Sequence, residues 1–244
     1  GFVNVNGDEV IKVKYNNVNP FSNGVTSVSE QNAWFVIDKN GKKVSNNSFE
    51  ELGCFSEGRA PYRENSRYGY IDENGNKIVE PHHDYAMPHS EGIARVKHGW
   101  MWGYVNINCE TVTYFDFQEA SDFKDGIAKV KKNNKWGFID KTGKEIIPIK
   151  YTIINEFDEN NLAKVKVGLN WGLVSKNGVE IVPPKYQTIE AFKGDYARVS
   201  IDDRYGFIDK TGKEIIACKY DDTEEIENGL VKVNEAGMWG YVST

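Results

Sequence analysis

All four histidines of the chain, His82, His83, His89 and His98, fall within a 17-residue window that also holds Asp84 and Glu91. Imidazole nitrogens with a carboxylate are ligands of tetrahedral zinc, so three or four of these groups converging would make a metal site. No pair has the i, i+4 spacing on a helix by which such sites are recognised. The expectation is therefore loop or satisfied core histidines, with no metal assigned. A hydrolase would need paired carboxylates across a scissile bond or a serine on a strand-to-helix elbow. Serines 22, 56 and 90 lie in turns with no helix after them, and the glycines never form a phosphate-cradling G-x-G-x-x-G or Walker loop. Cys54, Cys109 and Cys218 are odd in number, far apart and without a CxxC pair, and read as small buried side chains. The expectation is a chain with no catalytic residue and no cofactor.

What must position these groups is a chain of 244 residues, long enough to bury one or two ordinary cores. Aromatics at 13% and charged residues at 27% place it among folding sequences. A net charge of −6 with no Lys/Arg block argues against nucleic acid and against an anionic membrane surface as partners. No run approaches the roughly 20 apolar residues of a membrane span. The opening GFVNVNGDEVIKV lacks the basic start and apolar centre of an export signal, which suggests a segment cut from a longer chain or one that has lost its leader.

Self-similarity covers the whole sequence. Lys135–Tyr151 (KWGFIDKTGKEIIPIKY) and Arg204–Tyr220 (RYGFIDKTGKEIIACKY) are near duplicates. With the Gly of "WG" as anchor, the series is Gly1, Phe35, Gly69, Gly103, Gly137, Gly172, Gly206 and Gly240, spaced by 34 residues, once by 35. The residue before the anchor is Trp34, Tyr68, Trp102, Trp136, Trp171, Tyr205 or Trp239. Asp or Asn follows at positions 4, 38, 72, 106, 140 and 209, then glycine three residues later at 7, 41, 75, 143, 178 and 212, with Cys109 taking that slot once. D-x-x-G predicts a tight turn in which the carboxylate accepts backbone N–H bonds and the glycine takes positive φ. An aromatic recurs eight residues past the glycine (Tyr15, Phe49, Phe117, Tyr151, Tyr186, Tyr220), with His83 as the exception, and is expected to plug the core. Each period closes on F-x-x-G-x-A-x-V, as in Phe123–Val130, whose alternation marks a strand with one wet face. The pattern predicts three short strands per period, a fourth around the tyrosine, and no helix.

The combination of WG, turn, tyrosine and F-x-x-G-x-A-x-V at fixed offsets resembles the WG repeat family, also called KWG repeats, of bacterial β-repeat proteins. The resemblance spans the chain and is fullest in the copies anchored at Gly137, Gly172 and Gly206; the early copies depart from it, with Phe35 at the anchor and Ser45 in the proline slot. It implies a repeat module attached to other domains, with no catalytic residue to carry over, in a cytoplasmic or an exported bacterial protein. One period cannot bury its own apolar face, so neighbours must stack. The expected architecture is all-β: one array of seven 34-residue repeats (1–34, 35–68, 69–102, 103–136, 137–171, 172–205, 206–239) with a closing strand 240–244, stacked as an open twisted solenoid. A seven-bladed β-propeller is the alternative, although 34 residues is short for a four-stranded blade.

Periodic aromatics in such arrays are mostly packing, so the slot at Trp34, Tyr68, Trp102, Trp136, Trp171, Tyr205 and Trp239 reads as an inter-repeat wedge. Off-pattern residues are then the candidate partner surface: Trp100, Met101, Arg59, Tyr62, Arg63 and Tyr196. Trp100 has no counterpart in other periods. The expected function is a protein-binding or scaffold surface; carbohydrate or cell-envelope binding by stacked aromatics is the alternative, and a hydrolase near the histidines a third. Edge strands at the ends would permit end-to-end self-association.

Overall fold

A computed structural model describes residues 1–244 and contains only strands and turns, with no helix. The chain divides into two compact units, residues 1–133 with 139–144, and residues 134–138 with 145–244. In the first unit, Phe2–Val3 pairs with Glu9–Ile11, and three antiparallel sheets follow. These are Asn17–Val18, Val25–Glu30 and Ala33–Asp38; then Glu51–Leu52, Arg59–Glu64, Arg67–Asp72 and Lys77–His83; then Tyr85–Ala86, Ile93–His98 and Met101–Asn106. The second unit repeats the order with Ile153–Ile154, Leu162–Val167, Asn170–Ser175 and Glu180–Tyr186; Thr188–Ile189, Tyr196–Ile201, Arg204–Asp209 and Glu214–Tyr220; and Asp222–Glu227, Leu230–Glu235 and Met238–Ser243.

The fourth strand is the two-residue piece that follows the aromatic, and it opens the next sheet rather than closing its own. Sheets and sequence periods are therefore out of phase. The stretch from Gly69 gives Arg67–Asp72 and Lys77–His83 to one sheet, then Tyr85–Ala86 and Ile93–His98 to the next. Each sheet is thus completed by two adjacent periods, which couples neighbours through main-chain hydrogen bonds as well as side chains.

The turns behave as their sequence requires. Asp72 Oδ1 accepts from the N–H groups of Asn74 and Asn76 at 2.9 and 2.8 Å, and Gly75 has φ of +75°. The Thr142 hydroxyl, with the N–H groups of Thr142 and Lys144, holds the Asp140 carboxyl below the usual carboxylate range. These carboxylates are occupied as turn acceptors.

The anchor glycine has a different cause. Tyr205 faces Tyr220 and Phe207 faces Ile216, so Gly206 alone stands opposite a return strand that carries three residues over the same interval. The bulge presses inward, and a Cβ on Gly206 would lie 2.4 Å from the Ile216 carbonyl oxygen. Gly69 and Gly172 are crowded in the same way by the Val79 and Val182 carbonyl oxygens, at 2.2 and 2.4 Å. Phe35 is the exception that the geometry explains: there the return strand shrinks to the isolated bridges Trp34↔Phe49 and Ile37↔Lys43, and the buried Phe35 ring packs with Ile11, Val28 and Ile37.

The core sits between successive sheets. In the first unit Val36 and Phe49 meet Leu52, Phe55, Ala60, Tyr62 and Ile71; in the second Leu173, Val182 and Tyr186 meet Ile189, Ala197, Val199 and Ile208. Buried phenols reach across this seam: Tyr70 donates to Met87 O at 2.8 Å, Tyr104 to Ser121 O at 2.6 Å, and Tyr186 to Glu214 Oε1 at 2.8 Å. Tyr62 is as buried as these, but its hydroxyl has no partner. Tyr62→Phe is therefore expected to leave stability unchanged or raise it, whereas Tyr70→Phe costs about 1 kcal/mol, as urea unfolding of the two variants would read.

Candidate functional site

Three of the four histidines converge. His82 and His83 end the strand Lys77–His83, and His98 ends the strand Ile93–His98 of the next sheet. One ligand nitrogen from each lies within 4.8 Å of the others. His83 Nδ1 and His98 Nε2 are 2.7 Å apart and share a proton, while His82 Nδ1 donates to Glu80 O at 2.8 Å. His83 and His98 face the Phe115 ring, His98 at 4.1 Å between centroids. Burial pushes the His83 imidazole down to about 3, with His82 and His98 adding to the shift; burial also lowers His98. The expectation is of loop or satisfied core histidines; His83 is a core side chain, 2% exposed in the aromatic slot, but its Nε2 has no partner, and the rings form one cluster across two sheets. Helical spacing was the wrong test, because the approach runs between the return strand of one sheet and the second strand of the next. His89 stays apart. It fills the Phe slot of F-x-x-G, stacks on Tyr70 at 4.9 Å as Phe123 does on Tyr104 at 5.1 Å, and approaches Asn106 O.

The second feature is the hairpin tip Gly99-Trp100, between paired His98 and Met101. Most tips are two-residue turns with positive φ at both positions, such as Asn65-Ser66 and Asp202-Asp203, a geometry that disfavours bulky side chains. Gly99 at φ +58° instead makes a turn in which only the first position is left-handed, freeing the second for any side chain. Trp100 uses that freedom and is 87% exposed. Leu169, after Gly168 at φ +58°, does the same in the second unit at 84%. Around Trp100, a shallow groove is lined by Asp84, Tyr85, Lys97 and Trp102, with the Lys97 ammonium over both indoles. Sequence reasoning missed Tyr85, Lys97 and Leu169; a tip with glycine first, as in Gly99-Trp100 and Gly168-Leu169, was the available signal.

The remaining candidates separate. Met101 is exposed beside Trp100. Arg63 is partly exposed and paired with Glu50 and Glu51 at 3.3 and 3.4 Å. Arg59 is half-buried with its Nε unpartnered. Tyr196 is half-buried and lines a groove with Glu190, Asp195, Glu224 and Glu225 in the second unit. Tyr62 is not surface: it occupies the Val slot of F-x-x-G-x-A-x-V, points inward with Ala60, and meets Phe49 at 5.1 Å. Of the repeated slot, Trp34, Trp102, Trp136, Trp171 and Tyr205 are half-buried, Tyr68 is buried, and Trp239 is exposed. Cations cover several of their faces, Arg95 on Trp102, Lys166 on Trp171, Arg198 on Tyr205 and Lys232 on Trp239, at 3.8–5.1 Å. All three cysteines are free and half-buried, and burial raises the Cys109 and Cys218 thiols to about 11.

Seven segments, 1–32, 34–68, 68–99, 102–136, 136–168, 171–205 and 205–239, match the family model described as WG containing repeat. Among solved structures, Kluyveromyces lactis Hsv2 is similar over 91% of this chain and 94% of its own, at 9% identity and a TM-score of 0.38. The AfRom2 CNH domain is similar over 93% and 92%, at 9% identity and 0.37. A crystal structure of the eukaryotic initiation factor is similar over 95% of this chain and 79% of that one, at 11% identity and 0.40. No curated protein matches the chain.

Proposed function

The chain belongs to the WG repeat family, and from that premise we propose that it is a non-catalytic module whose stacked repeats present a docking surface for a protein partner. The observation that carries this reading is Trp100. Folding is served by the repeated aromatics, yet this indole is held in solvent on a turn whose geometry is set by Gly99. Exposed tryptophan flanked by half-buried aromatic and charged groups is the composition of an interaction hot spot. Met101, Tyr85 and Lys97 extend the patch. Sugar stacking on the repeated aromatics is less well supported, since cations already occupy several of their faces.

We propose further that the array is an open twisted one. In its support, each sheet is completed by two adjacent periods, so neighbours stack by a local rule that needs no ring closure.

A photo-cross-linking residue at position 101, beside an intact Trp100, in the native host, is expected to yield a discrete protein adduct that the same residue at the Ser66 tip does not. Equal labelling from both positions, or Trp100-dependent retention on a glycan array in place of a protein adduct, would overturn the protein-docking reading.

A further inference from the structure

We propose that His82, His83 and His98 form a binding site for a divalent transition ion of the zinc class, with water or an external ligand completing its coordination. The proposal goes beyond the docking reading and does not rest on it.

Three features carry it. First, the three ligand nitrogens already lie within 4.8 Å of one another, on two sheets whose main chains are fixed by hydrogen bonding. Second, Glu80 O accepts the Nδ1–H of His82, which fixes the tautomer and leaves the Nε2 lone pair free. A backbone carbonyl holding the far nitrogen is the usual support of a metal-ligating imidazole. Third, His83 is buried, and its Nδ1 is aimed at His98 Nε2. Packing alone does not account for a polar ring here, because every other period fills this slot with Phe or Tyr. The Phe115 ring walls one side of the cluster, while exposed His82 leaves an entry path from solvent.

Three imidazoles without a thiolate select a borderline ion, zinc or copper(II), over calcium or magnesium, which take oxygen ligands. Two nitrogens bound about 2.0–2.1 Å from a tetrahedral ion lie about 3.3 Å apart, so the His83–His98 contact of 2.7 Å must open by about 0.6 Å on binding. The ring that donates in that contact changes tautomer, its proton passing through solvent to its other nitrogen, so that both facing lone pairs are free for the ion.

The test is a titration of the full chain, carrying no added polyhistidine, with Zn²⁺ against a chromophoric chelator and with Co²⁺ read by its visible absorption. One equivalent should bind saturably. His82→Gln and His98→Gln should each weaken binding about tenfold or more. His83→Phe, which restores the side chain of the other periods, should abolish binding and keep the β-sheet circular dichroism. His89→Phe should leave binding unchanged. Absence of saturable one-equivalent binding, or binding retained in both His82→Gln and His98→Gln, would overturn the proposal.

Discussion

Above about pH 10 the protein is expected to unfold cooperatively, with its buried tyrosines ionising as it does so rather than before. Burial raises Tyr62, Tyr70 and Tyr104 in the first unit, and Tyr151 and Tyr186 in the second, beyond the ordinary phenol range, and raises Tyr68 to about 12. Glu51, Glu180 and Glu214 add to the shift at Tyr68, Tyr151 and Tyr186, because a phenol that donates to a carboxylate resists losing its proton. The sign follows from linkage. Below the unfolded value both states hold the phenolic proton, and burial contributes in full. Above it the unfolded chain releases protons that the fold retains, so stability falls until pH passes the folded values.

Each withheld proton costs about 1.4 kcal/mol per pH unit, so the four tyrosines of the first unit together give about 5.5 and the two of the second about 3. Those slopes compare with the whole stability of an ordinary domain, about 5–15 kcal/mol, within one or two pH units. Phenolate absorbance and circular dichroism followed together would check this: the two should change at one pH, the first unit losing stability more steeply. Smooth phenolate titration with the sheet signal intact would show that the tyrosines are not sealed in the seams.

Gly206→Ala is expected to destabilise the second unit by about 3 kcal/mol, and Gly240→Ala by under about 0.5, although both occupy the same slot of the repeat. A methyl on Gly206 meets a carbonyl oxygen and two further backbone atoms of the return strand within 3 Å, none of which can rotate away. On Gly240 it meets open space. Thermal melts of the two variants decide the matter. Equal effects would mean that the slot prefers glycine for its conformational freedom and not because of the bulged strand above it.

The repeat itself was legible because its landmarks are each tied to one physical demand: Asp72 to a turn, Gly75 to positive φ, Tyr186 to a seam that must be filled. The all-β class, the short strands and the missing helix followed from period-two alternation. Less legible was the phase of the sheets. A 34-residue ruler does not reveal that Tyr85–Ala86 pairs forward into the next sheet while Lys77–His83 pairs backward. That choice depends on which edge a two-residue strand finds, a long-range matter that local pattern does not encode. The same gap hid the approach of His83 to His98. Tyr62 departs from the Val consensus and so reads as surface, but the Val slot faces inward and the ring follows the slot. Trp100 was found as an off-pattern residue, but the reason it can stand in solvent lay in Gly99.

Trp100 is proposed to serve association, while the repeated aromatics serve folding. The most direct test is the Trp100→Ser variant, melted and carried through cross-linking from a photo-reactive residue at Met101 in the same preparation. A melting temperature matching the parent chain is expected, since the indole is 87% exposed, together with loss of the adduct. A lowered melting temperature, or an adduct undiminished by the substitution, would contradict that assignment.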